Sequence, residues 1–249
     1  MIRLPLLLAF LICSVQASDV AKEKRWAEQV VDAVLDGEVV WLKAQEHEFL
    51  SIFTAAEDQS AKGMIVVHGT GIHPDWEQVV KPIRVEMSTL GWNTLSIQMP
   101  ILPNEATYEE YIPLYPEVPA RLQAAEDYLI AQGIRDIVIV AHSQGATMSS
   151  YYLSKHDHQI RAFAAIGMLA TQTDPAVNVA NSLKLIKIPL LDLYGSQDLP
   201  GVLSSSQLRQ TSAAHNPDYQ QQVIQGADHF FVGKNAELIE ALDNWLSQL

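Results

Sequence analysis

Apolar residues recur along the chain with two different periods. From residue 21 to 35, Trp26, Val30, Val31, Val34 and Leu35 fall at helical spacing, and the run stops at Asp36-Gly37, so an N-terminal helix is predicted there. Residues 39–43 and 48–54 read as two short strands joined by the polar stretch 44–47, an antiparallel hairpin at a sheet edge. The pattern then changes to short apolar runs with little alternation, at 63–68, 92–97, 136–141, 162–166 and 189–194. Strands covered on both faces have this character. Helical patterns at 75–90, 119–132, 144–155, 176–185 and 201–213 separate the runs, and a strand at 220–224 and a helix at 235–249 close the chain. This alternation predicts an α/β fold with a mostly parallel sheet of about eight strands, helices on both faces and right-handed crossovers. No repeat, linker or long run of like charge divides it, so residues 18–249 are expected to form a single domain.

Composition supports a folded chain and narrows its setting. With 249 residues, 48% hydrophobic and 18% charged, a sizeable core is available and disorder is excluded. The first seventeen residues stand apart: Arg3, an apolar stretch from Leu4 to Ile12, and the small-residue pattern Val15-Gln16-Ala17 before Ser18 predict a cleaved signal peptide and a periplasmic or secreted protein. The apolar stretch is well short of the ~20 residues that span a bilayer, so no stable membrane insertion is expected after cleavage. Lipid modification at Cys13, the chain's only cysteine, is the alternative. Without another cysteine, the rest of the chain has neither a disulfide nor a thiol nucleophile. A net charge of −13 argues against nucleic acid as a partner.

The sharpest candidate chemistry is Ala141-His142-Ser143-Gln144-Gly145, between an apolar strand and a helical pattern. A serine in a strained turn at that junction is a nucleophile elbow, with the helix N-terminus aimed at developing negative charge. Small residues two before and two after keep the turn free of collisions. Gly145 meets that need, and Ala141 stands where glycine is usual. An acid and then a histidine follow at later strand ends, Asp198 after the run ending at Gly195 and His229 after the last predicted strand. Asp228 ranks below Asp198 because it adjoins the histidine in sequence, and His215 ranks below His229 because it lies in a polar stretch before the strand. His68-Gly69-Thr70-Gly71 follows the 63–68 run and offers the backbone N–H of Thr70 as one oxyanion donor, with the N–H of Gln144 as the second. The loop lacks the spacing of a nucleotide-binding motif, and His68, His73, His156 and His158 fit no zinc spacing, so they read as surface histidines. Neither cofactor nor metal is expected.

HGTG, AHSQG, YGSQD and GADHFF occur in the order found in α/β-hydrolases, and the resemblance to that superfamily covers nearly all of residues 18–249. The segment from Val66 through His73-Pro74-Asp75-Trp76 to Met99-Pro100 is similar to an uncharacterised bacterial envelope family within it. The resemblance implies a Ser143–His229–Asp198 triad acting through an acyl-enzyme on a small ester or related acyl substrate. Only residues 171–187 separate two of the core strands, too few for a large cap. Two further segments stay open. Residues 100–119, with Tyr108, Tyr111 and Tyr115, form either a pocket wall or a rigid surface loop, and Pro74-Asp75 is read as the start of the helix over 75–90. The alternative function is a non-catalytic envelope binding or scaffold protein that keeps the fold, motivated by Ala141.

Overall fold

The computed structural model describes residues 18–249; the expected signal segment, Cys13 included, lies outside the described residues. Eight strands form one sheet: β1 (Glu38–Ala44), β2 (His47–Thr54), β3 (Lys62–Val67), β4 (Asn93–Ile97), β5 (Asp136–His142), β6 (Ile160–Ile166), β7 (Leu190–Gly195) and β8 (Tyr219–Ile224). Their order is β1-β2-β4-β3-β5-β6-β7-β8. β2 runs antiparallel to both β1 and β4, and every other pair is parallel.

The continuous apolar runs are explained by two cores. Ile65, Val67, Ile137, Ile139 and Ala141 face one cluster of buried side chains, while Met64, Val66, Val138 and Val140 face the other. Alternate residues thus enter opposite cores, and both faces of the strand are dry. Helices α3 (Val118–Ala131) and α4 (Gln144–Lys155) supply Leu122, Ala125, Leu129, Met148 and Tyr152 to the first cluster. Helices α2 (Val80–Thr89) and α8 (Asn235–Leu246) supply Ile83, Met87, Leu238, Leu242 and Trp245 to the second. Helix α1 (Val20–Val31) lays Ala27 and Val30 against Leu50 and Ile52 of β2. It is further joined to the body by the buried pairing of Glu23 with Arg121, Nη1 to Oε2 at 2.9 Å. No helix among the described residues is long and apolar enough to cross a membrane.

Four local expectations are corrected. Helix α2 starts at Val80, not at residue 75, because the Pro74–Asp75 segment is tied elsewhere. The Pro74 carbonyl accepts from Ser96 Oγ at 2.7 Å, and buried Asp75 accepts from Arg84 Nη2 at 2.5 Å. Residues 108–117 are a 3-10 helix and not a loop. Tyr108, Tyr111 and Leu114 recur every three residues, the 3-10 period, and Thr107 and Glu110 cap the start reciprocally. The pattern over 201–213 divides into α6 (Pro200–Ser204) and α7 (Ser206–Ser212), and that over 176–185 shortens to α5 (Val179–Leu183). As expected, no large cap formed by the described residues covers the carboxyl ends of the strands.

Candidate active site

Ser143 occupies the turn between β5 and α4 with φ 55° and ψ −121°, a conformation that costs a non-glycine residue energy and persists only where surroundings impose it. The surroundings are specific. The Ser143 N–H donates to the Ile166 carbonyl at 2.8 Å, fixing the turn to the end of β6. On the other side α4 packs so closely on β3 that a Cβ at Gly145 would lie 2.3 Å from the His68 carbonyl oxygen. Ala141 is accommodated: it lies buried in β5, in the same core as Ile65 and Ile139, and the serine adopts the strained turn regardless.

Ser143, His229 and Asp198 meet at the carboxyl end of the sheet. His229 Nε2 lies 2.9 Å from Ser143 Oγ, and His229 Nδ1 lies 2.6 Å from Asp198 Oδ1. With the proton on Nδ1 donated to Asp198, Nε2 is free to accept from the serine hydroxyl. The Asp198 carboxylate also accepts the N–H groups of Leu199 at 2.7 Å and Gly195 at 3.3 Å. Burial alone would push its pKa up, but the His229 partner and these two amides outweigh burial and hold it below the usual value.

The loop carrying His229 is pinned at several points. Phe231, at φ 53°, is fully buried in the second core, and Asp228 Oδ1 accepts the N–H groups of Phe230 and Val232 at 3.0 and 3.1 Å. Asp228 therefore closes its own turn and stands apart from the imidazole. The His229 carbonyl accepts from His142 Nε2 at 2.9 Å, and the two rings sit 4.8 Å apart. Gly167, at φ 59° just past β6, leaves room on the other side; a Cβ there would be 3.0 Å from His229 Nδ1 and 3.4 Å from Asp198 Oδ2. Neither His142 nor Gly167 was singled out from sequence, although adjacency to the serine and to a strand end were signals for them. His215 is exposed and takes no part in these contacts.

The His68–Gly71 loop lies against the serine: a Cβ at Gly69 would be 3.0 Å from Ser143 Cβ. Among the described residues, the N–H groups of Thr70 and Gln144 have no hydrogen-bond acceptor, the state expected of donors kept for a ligand. His68 corrects the surface expectation, being 1% exposed. Its Nδ1–H donates to the Gly69 carbonyl at 2.8 Å while Nε2 accepts the Met99 N–H at 2.9 Å, so the loop is anchored by a neutral imidazole. Burial drives the pKa of His68 down to about 3. His73 is also no free surface group, packing between Trp26 and Trp76 at 4.8 and 5.3 Å.

Ser143 and His229 open onto a cavity of about 200 Å³, walled by Gly69, Thr70 and a set of apolar side chains. Tyr108 of the 3-10 helix is one of them, which decides the open question about residues 100–119: part of that segment is pocket wall.

Comparison with solved structures places the architecture. An esterase from Pyrococcus furiosus superposes with a TM-score of 0.70 at 17% identity, over 90% of this chain and 95% of its own. Est1E from Butyrivibrio proteoclasticus gives 0.66 at 14%, over 86% and 98%, and a dienelactone hydrolase from Anabaena variabilis gives 0.66 at 18%, over 86% and 97%. The fold is that of the α/β-hydrolases. No curated protein matches in sequence. A family model described as "Protein of unknown function (DUF3530)" matches residues 15–119 and 113–248, and with nearly the whole sequence matched, the chain belongs to that family.

Proposed function

We propose that the chain is a serine hydrolase cleaving a carboxylic ester or a related acyl bond. The observation that carries this reading is the unbroken relay from Ser143 Oγ through both ring nitrogens of His229 to Asp198, at 2.9 and 2.6 Å. As Ser143 Oγ attacks the carbonyl, its proton passes to His229 Nε2, and the resulting imidazolium is held by the Asp198 carboxylate. The carbonyl oxygen becomes an oxyanion stabilised by the N–H groups of Thr70 and Gln144. Collapse breaks the bond to the leaving alcohol, which takes the proton from Nε2. Water then attacks the acyl-enzyme, giving its proton to the same nitrogen, and the acid departs as Ser143 regains its hydrogen. Structural neighbours that include esterases support the reading.

The test is active-site labelling. A fluorophosphonate should modify folded wild-type protein at Ser143 and leave Ser143→Ala unmodified; absent or equal labelling overturns the proposal. The setting is proposed as periplasmic or secreted, from the leading segment at residues 1–17. Intact mass of the exported protein should place the mature N-terminus at Ser18, whereas a lipidated species beginning at Cys13 would overturn cleavage there.

A further inference from the structure

The proposed hydrolase site also carries information on what it accepts, an inference that rests on that reading. The cavity beside Ser143 and His229 is lined by Ile72, Tyr108, Leu169, Leu199, Val202 and Phe230, and no Asp, Glu, Lys or Arg among the described residues lines it. An ionised group placed there would lose its hydration without gaining a counter-charge. Of the hydroxyls on the wall, those of Thr70 and Ser143 belong to the proposed reaction centre, and that of Tyr108 is already engaged. Tyr108 Oη donates to Thr147 Oγ1 at 3.0 Å and accepts from Gln172 Nε2 at 3.3 Å, and neither partner lines the cavity. Tyr108 therefore presents its ring, held in place from behind.

Size sets the second limit. A dry apolar cavity of about 150 Å³ holds benzene, roughly 25 Å³ per carbon atom. At about 200 Å³, this one holds about eight non-hydrogen atoms by the same proportion. The wall is firm on its inner side, where Val202 is fully buried, and open at Leu199 and Phe230, which are 48% and 41% exposed. The leaving alcohol and the incoming water use the open side, which leaves the inner side for the acyl group. We propose that the site is selective for uncharged acyl groups of up to about eight non-hydrogen atoms, short aliphatic or single-ring, with Leu169 and Tyr108 setting the limit, and that it excludes long fatty acyl chains and acyl groups bearing a carboxylate.

The experiment measures kcat/KM for p-nitrophenyl esters from acetate to dodecanoate, and for the monosuccinate, alongside labelling by diisopropyl fluorophosphate. Each methylene buried should raise kcat/KM about fourfold, with a maximum near butyrate to hexanoate and a fall of at least tenfold by dodecanoate. The monosuccinate should be slower than butyrate by two orders of magnitude or more. Leu169→Ala removes three carbons, so its maximum should move to acyl chains two or three carbons longer. Rates still climbing through dodecanoate, or a monosuccinate as good as butyrate, overturn the selectivity while labelled Ser143 keeps the hydrolase reading intact. A folded protein that is neither labelled nor active on any ester overturns both.

Discussion

Replacing Gly145 with alanine tests whether the close packing of α4 on β3 holds the serine turn. The added Cβ would stand 2.3 Å from the His68 carbonyl oxygen, 2.9 Å from the Val67 carbonyl oxygen and 2.9 Å from Val67 Cγ1. Two of these three atoms are backbone in a fully buried strand, so relief requires α4 to move away from β3 by about 1 Å. Overpacking of this kind costs about 1 to 3 kcal/mol, and backbone obstruction places this case near 3. For a chain of this size that is a fall of about 6 to 12 °C in melting temperature. The same movement displaces Ser143 relative to His229 and to the Thr70 loop, and a misplacement near 1 Å costs about 100-fold in rate. Ala141→Gly is the counterpart: it removes one buried methyl and adds backbone freedom, about 1 to 1.5 kcal/mol, with the turn intact. Thermal unfolding followed by circular dichroism and hydrolysis of a short-chain ester would read both quantities. If Gly145→Ala melts within 1 °C of wild type and keeps its activity, the packing argument fails.

Other expectations follow from the same geometry. Asp198→Asn preserves shape but removes the charge that holds the imidazolium, and kcat should fall about 10⁴-fold with the protein still folded; a loss under tenfold would contradict the assigned role. His142→Phe keeps a ring against His229 but strands its carbonyl, so kcat should fall about tenfold while KM holds, and an equal effect on both would instead indicate a substrate contact. Acid should destabilise the fold through His68 and His142, both pushed by burial to pKa values of about 3 from an ordinary 6.5. Native protein resists the protons that the unfolded chain binds, so this stability is complete above pH 6.5 and is lost as pH falls toward 3, by about 2.7 kcal/mol per unit well inside the window. Melting temperature against pH should be visibly flatter in His68→Gln; an unchanged slope would refute the assignment.

Much of the fold was legible because two-faced burial leaves a strong signature. The runs at 63–68 and 136–141 became β3 and β5 within a residue, since a strand dry on both faces has an apolar interior with no alternation to blur it, and 92–97 became β4 although Asn93, Thr94 and Ser96 are polar. The failures lie where tertiary contacts override local signals. Pro74 and Asp75 look like a helix start, yet Arg84 and Ser96 claim them and the helix waits until Val80. The turns at 200–206 and the 3-10 helix depend on packing and on a three-residue period, which neither the helical nor the strand template detects. In the site, Ser143, Asp198 and His229 were reachable from chain order. Of the apolar wall only Tyr108 was raised, as one of two alternatives; Leu169, the Leu199–Val202 segment and Phe230 lie far apart in sequence and share no motif.

The two buried histidines also bear on the proton path proposed for the site. His142 lies against His229, with Nε2–H bound to a carbonyl and Nδ1 buried without a partner among the described residues. Burial first, and then the neighbouring imidazole, keep it neutral down to about pH 3. In the proposed reaction, where His229 takes the serine proton, the positive charge therefore has no second imidazole to share it and faces the Asp198 carboxylate alone. His68, neutral for the same reason of burial, gives its one proton to the Gly69 carbonyl and takes the Met99 N–H at Nε2, so it has neither a free donor nor a free acceptor to offer the site. A site with one ionisable relay and otherwise uncharged walls keeps its electrostatics strong, because the low dielectric that penalises a stray charge also strengthens the one ion pair formed in the reaction.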